Sequence, residues 1–218
     1  MFPTQLFVVL CCVSSVLSEK KLCNLDDNKC LTDAAKRTFK EFISGLPGVE
    51  PSDPLTLDLI EGNLPTLKYR LINGSLIGML NCNVDLAQIL VKESKYHYHI
   101  LCPHLVLESD YEVKGKLGPE FIEGSGVCKL DIYDYHILLS GDYEKFISTN
   151  GKLHIQIKNH ILKYEAKSKV NYDCNNLFNG DKEKSDILHK YANENWQTVH
   201  KLTRQPAMEA FMNKYIDN

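Results

Sequence analysis

His97 and His99, in the run KYHYHI, lie two residues apart and so share one face of an extended strand. Such a pair can ligate zinc when a neighbouring strand supplies a third donor, and His104, His136 and His154 are available for that role. No acidic or cysteine ligand is fixed beside them by spacing, so a solvated strand face and no metal site are expected. Gly124-Ser125-Gly126 invites a phosphate-loop reading. Strand-like sequence follows it, however, where a phosphate loop needs a helix N-terminus, so a bulge or strand start is expected instead. The chain contains no G-x-S-x-G, H-E-x-x-H or P-loop, and no spacing joins a nucleophilic serine to a base. Neither catalysis nor a cofactor is therefore expected. Asn73-Gly74-Ser75 is the only N-glycosylation sequon. Asn73 alternates in phase with Tyr69 and Leu71, which counts against a glycan there.

The chain has 218 residues and a formal net charge of −3, with no basic run. That argues against nucleic acid as a partner, since phosphates demand clustered Lys and Arg. Residues 1–18 carry no charged side chain, and Leu6 to Leu17 is an apolar block too short to span a bilayer. Val16-Leu17-Ser18 followed by Glu19-Lys20-Lys21 reads as a signal-peptide cleavage site. The expectation is a secreted, extracellular protein with one domain over residues 19–218 and no transmembrane segment. Cleavage would remove Cys11 and Cys12 and leave Cys23, Cys30, Cys82, Cys102, Cys128 and Cys174. Six cysteines in a secreted chain suggest disulfides and allow fifteen full pairings. Only Cys23 and Cys30 are close in sequence, where they flank an Asp/Asn-rich loop.

The elements that must position any site follow from the apolar periods. Thr32 offers an N-cap, and Leu31, Ala35, Phe39, Phe42 and Leu46 recur at helical spacing up to Gly45-Leu46-Pro47-Gly48. A proline-rich extended connector follows from Pro51 to Leu55. From about Leu64 to Cys174 the period becomes two, most clearly where Tyr164, Ala166, Ser168, Val170 and Tyr172 alternate with charged or polar residues. The phase slips between Ile161 and Leu162, which predicts a bulge or a change of strand. Turns are expected at Lys92 to Lys95, Gly115 to Pro119, Gly141-Asp142 and Asn150-Gly151. Strands this long and this regular must twist and curl, leaving a concave apolar face. A helix over Ser185–Gln205, with Leu188, Ala192, Asn195, Val199 and Leu202 on one stripe and Tyr191 and Trp196 on its flanks, is the natural filler. Pro206 should kink or break it, because Met208, Phe211, Met212 and Tyr215 form a second stripe on another face.

The fragments "GLPGVEPSDPLTLDLI", "INGSLIGML", "PHLVLESDYEVKGKL", "FIEGSGVCKLDIYDY", "NNLFNGDKE" and "NENWQ" occur in that order behind Cys23 and Cys30. In this the chain resembles the insect takeout and haemolymph juvenile hormone-binding protein family. The resemblance implies an α+β, TULIP-like fold, in which a long C-terminal helix is wrapped by a highly curved antiparallel sheet enclosing an apolar tunnel. It implies a disulfide between Cys23 and Cys30, which match the family's N-terminal pair. It also implies that the partner is a small hydrophobic ligand, juvenile hormone or a similar terpenoid or lipid, held in that tunnel. The expected lining is Tyr69, Leu71, Tyr164, Ser168, Val170 and Tyr172 from inward strand faces, with Trp196 and Val199 from the helix. The alternatives are a secreted interaction protein with a filled or collapsed cavity, and a secreted hydrolase.

Overall fold

The computed structural model describes residues 23–48, 50–147, 149, 151 and 153–217. The expected signal peptide, with Cys11 and Cys12, lies outside them, as does Asn150. Helix α1 (Asn28–Ser44) is capped by Asp27, whose carboxylate accepts the Cys30 amide at 2.9 Å. The cap is therefore five residues earlier than Thr32. Thr32 is buried inside the helix, where its hydroxyl donates to the Ala87 carbonyl and accepts the Ala87 amide. That pair of bonds pins α1 to a strand of the sheet.

Seven strands follow: β1 (Leu55–Asn63), β2 (Leu67–Ile77), β3 (Asn83–Leu90), β4 (Lys95–Leu117), β5 (Glu120–Ile147), β6 (Leu153–Ile157) and β7 (Ile161–Cys174). They form one sheet of path β1-β2-β4-β5-β6, with β3 also on β4 and β7 also on β5, and every pairing is antiparallel. The sheet opens at Leu55, earlier than the period-two run, because β1 alternates only weakly. Gly141-Asp142 is not a turn. It lies within β5, where the Asn159 side chain accepts the Asp142 amide at 2.9 Å and the Asp142 carbonyl accepts the Lys158 amide. The phase slip at Ile161 is a change of strand, from β6 to β7. At about 3.4 Å per residue a straight β4 would run roughly 75 Å, far beyond the width of a chain this size, so β4 and β5 curl together.

The curl encloses helices α2 (Lys182–Glu194) and α3 (Trp196–Asp217). The break between them is at Asn195 rather than at Pro206. Asn195 leaves helical geometry at φ −109°, ψ 29°, and both its amide and its side-chain Nδ2 donate to the Tyr191 carbonyl, each at 2.9 Å. Pro206 stays inside α3, which deprives the Leu202 carbonyl of its usual donor. The two apolar stripes do meet different surfaces. Leu188, Ala192 and Val199 pack with Leu67, Tyr111 and Ile122, whereas Met208, Phe211, Met212 and Tyr215 pack with Leu76, Leu105, Ile132 and Tyr135.

Cross-links hold the ends. Cys23–Cys30, Cys82–Cys102 and Cys128–Cys174 are disulfides, the last joining directly paired residues of β5 and β7. The Tyr215 hydroxyl donates to the Ser52 carbonyl at 2.6 Å, tying α3 to the connector ahead of β1. The Asn175–Leu177 loop that leads into α2 bridges onto Gly124 of β5. A Cβ at Gly124 would lie 3.0 Å from the Asn176 carbonyl oxygen and from Leu177 Cα, so glycine is what admits that loop. The Gly-Ser-Gly run thus serves a close backbone approach.

Candidate functional site

The space between sheet and helices includes two cavities. One, of about 470 Å³, lies between α1 and the last turns of α3. Its walls include Phe39 and Phe42 of α1, Tyr98 of β4, Ile137 of β5, Leu162 of β7 and Met212 of α3. The other, of about 130 Å³, lies towards α2, with Leu107 and Val113 of β4, Leu130 of β5 and Leu188 of α2 in its walls. Tyr135, Val170 and Phe211 are fully buried and line neither. Each stands in sequence between lining residues of the two cavities on β5, β7 and α3 respectively, so they form the filled core between them.

Of the residues expected to line the interior, Tyr69, Leu71, Tyr172 and Val199 meet at the smaller cavity. The Tyr69 ring lies against Gly62 of β1, where a Cβ would come within 2.1 Å of it. Tyr164 lines neither cavity; its ring stacks under the Arg204 guanidinium at 5.3 Å. Val170 belongs to the dividing core. Trp196 is half-buried, packs on the edge of the larger apolar cluster and lines neither cavity. Ser168 is exposed, which corrects its inward placement. The register shifts there, so that Lys167 and Ser168 together oppose Asp134 and strict alternation fails. Asn73 is exposed as well, at φ +52° in a register shift of β2, so it does not share the inward face of Tyr69 and Leu71.

The residues that alternation missed are polar and come mainly from α3. His200, Thr203 and Arg204 line the smaller cavity beside Tyr69 and Tyr172. The Tyr69 hydroxyl donates to the Thr203 carbonyl at 2.7 Å, and the Thr203 hydroxyl donates to the Val199 carbonyl at 3.0 Å. His200 is 3% exposed, and neither of its ring nitrogens has a hydrogen-bond partner among the described residues. The hydroxyls of Tyr135 and Tyr172 are likewise buried without a hydrogen bond of normal geometry. Burial, with Arg204 adding to it, pushes the His200 imidazole down to about 4, so it is neutral near neutral pH. Burial raises the hydroxyls of Tyr135 and Tyr172 well above the phenol range, so both remain donors.

Of the histidines considered as zinc ligands, His99 and His136 alone come together, with ring centroids 5.2 Å apart, and each turns to its own aspartate. His104 bonds Asp131 at 2.9 Å and stacks on Tyr133; His99 meets Asp85 at 3.2 Å; His136 meets Asp134 at 3.2 Å; His154 stacks on Phe146; His97 is exposed. Among the described residues no three His, Cys, Asp or Glu side chains converge on a metal-sized site. Ser185 and His189 are a serine and histidine in contact, at 3.5 Å. His189 Nε2 accepts the Cys174 amide at 3.0 Å, so in the neutral ring the proton is on Nδ1, facing Ser185. That tautomer cannot take a proton from the serine. No helix among the described residues is long and apolar enough to cross a membrane.

Over residues 6–218 the chain matches the family described as haemolymph juvenile hormone binding protein (JHBP). It is 26% identical over 198 residues to circadian clock-controlled protein daywake of Drosophila melanogaster, covering 84% of this chain and 75% of that one. The protein of the same name from Drosophila yakuba is 25% identical with the same coverage. The crystal structure of Takeout 1 from Epiphyas postvittana superposes with a TM-score of 0.86 at 31% identity, covering 90% of this chain and 91% of that one.

Proposed function

We propose that this chain, which belongs to the haemolymph juvenile hormone binding protein family, is a secreted carrier that holds a small hydrophobic ligand inside its curled sheet. The observation that carries this reading is the larger cavity. Its volume of about 470 Å³ falls within the roughly 300–1,000 Å³ of small-molecule sites, and its walls are mostly apolar. The Tyr215 hydroxyl on that wall is spent on Ser52 and the Thr38 hydroxyl on the Ala34 carbonyl at 3.1 Å, which leaves the hydroxyl of Tyr98 to orient a guest. Burial pushes the Tyr98 hydroxyl up to about 12, so it acts as a neutral donor. A terpenoid of the juvenile hormone kind suits such a space, because its chain is apolar and its few oxygens accept hydrogen bonds. A catalytic role is disfavoured by the tautomer of His189 and by the absence of a hydrolase motif.

The test is calorimetric titration of the mature chain with a juvenile hormone-type terpenoid, beside Leu139→Trp, which fills the larger cavity from β5. Wild type should bind, and ligand at a hundredfold excess over Kd should add about 2.7 kcal/mol to its stability. The variant should keep its fold and lose roughly tenfold or more in affinity. Binding unchanged in the variant would move the ligand out of this cavity, and no binding by wild type would end the carrier reading.

A further inference from the structure

The last β4–β5 pair is Lys95–Asp142 and the last β5–β7 pair is Ser140–Ile161. From Tyr143 onward, β5 therefore has only β6 beside it among the described residues. Tyr143–Ile147 and Leu153–Ile157 make a two-stranded ribbon that runs on past the sheet. We propose that this ribbon docks on an anionic lipid bilayer, with Phe146, Ile147 and Ile155 entering the headgroup region and Lys145 held at the phosphates. Transfer of a guest at that contact rests on the carrier reading; docking itself does not.

The ribbon is apolar where nothing in the fold covers it. Ile147 is 74% exposed, Ile157 47%, Ile155 44% and Phe146 43%. Cross-strand pairing sets Tyr143 opposite Ile157 and Lys145 opposite Ile155, and alternation adds Ile147 to the same face. That face is the inward one: Tyr143 is buried at its base, and Ile157 belongs to the wall of the larger cavity. The apolar wall therefore continues outward through Ile157, Ile155 and Ile147. On the opposite face Phe146 stacks with the exposed His154 at 5.4 Å between ring centroids. A two-stranded ribbon is marginal alone in water, and one with apolar side chains on both faces calls for a cover. Charge selects the occupant. From Asp142 to Lys163 the sequence has four lysines and two acids, in a chain of net charge −3. Both acids are engaged within that segment, Glu144 by Lys158 at 2.5 Å and Asp142 by Asn159 at 2.7 Å. Lys145 and Lys163 make no ion pair among the described residues. A second copy meeting the ribbon about a two-fold axis would set like charge against like. Anionic headgroups instead take up the ammonium groups while the lysine stems lie along apolar neighbours. Docked in this way, the ribbon brings the cavity wall against the phase in which a water-insoluble guest dissolves.

The test is co-flotation of the full mature chain with vesicles of phosphatidylcholine alone and of phosphatidylcholine mixed with phosphatidylserine. Wild type should float with the mixed vesicles, and raised salt should weaken that binding. Ile147→Ser combined with Ile155→Ser should weaken it roughly tenfold or more, and Lys145→Gln about fivefold. These positions are exposed, so the variants should keep the fold, and none lines the larger cavity, so terpenoid affinity should not change. The emission that Phe146→Trp adds should be quenched by brominated lipid. No binding to mixed vesicles, or equal binding by wild type and the double serine variant, overturns the proposal. So does a wild-type dimer in lipid-free size-exclusion chromatography that the serine variant splits, because the ribbon then covers itself. Terpenoid binding without vesicle binding leaves the carrier reading standing, and vesicle binding without terpenoid binding leaves the docking standing alone.

Discussion

His200 couples the interior to pH. It is packed between Tyr135 of β5 and Arg204 of its own helix, and its imidazole is held down at about 4. In the unfolded chain the ring titrates near 6.5. Above that value neither state holds the proton, and the contribution of the neutral ring is fully present. As pH falls below it the unfolded state is protonated first, so stability is lost until the folded ring titrates too. The loss amounts to about 3 kcal/mol between pH 6.5 and 4. Urea unfolding of wild type and His200→Leu across that range should show a steeper fall for wild type by about this amount. Asn73 carries the second residue-scale prediction. Exposed in its bulge, it should accept a glycan in insect-cell secretion, so glycosidase treatment should lower the mass of wild type and leave Asn73→Gln unchanged. Asn73 and Ser168 escaped the period-two reading for one reason: a single bulge inverts the faces on either side of it, and nothing in the residue types around them marks where the extra residue sits.

Helix α3 shows what a helical wheel can and cannot deliver. The stripes of Leu188, Ala192 and Val199 and of Met208, Phe211 and Met212 were legible, as was their contact with different surfaces. The break was not. A proline is the usual suspect, yet Asn195 closes α2 by bonding the Tyr191 carbonyl twice, a local competition that any mid-helix asparagine could in principle offer. A straight wheel drawn from Leu188 puts His200 and Arg204 about 120° and 160° away from the stripe, so their place on the cavity wall stays hidden. Pro206 therefore sits in an intact helix and costs stability there. Pro206→Ala restores the donor for the Leu202 carbonyl and should stabilise the protein by about 1–3 kcal/mol in urea or thermal unfolding.

At the scale of the molecule, the curl followed from strand length and alternation, whereas the division of its interior did not. The division depends on Tyr135, Val170 and Phe211 meeting from three elements, and no one-dimensional pattern reports such a meeting. It also means that the distal half of α3 is structural filling as much as ligand wall. A chain ending at Gln205 should lose Met208, Phe211 and Met212 from the core and appear as aggregate in size-exclusion chromatography, not as a shorter carrier. The order of synthesis adds a consequence. Every strand of the wall leaves the ribosome before α3, and the Tyr215–Ser52 bond spans a sequence separation of 163. At about 5–20 residues per second, the stretch from Asn175 to Asp217 takes roughly 2–9 s to emerge. Through those seconds the nascent sheet has an apolar hollow and no helix to fill it. Something other than the finished fold must shield that hollow from its neighbours.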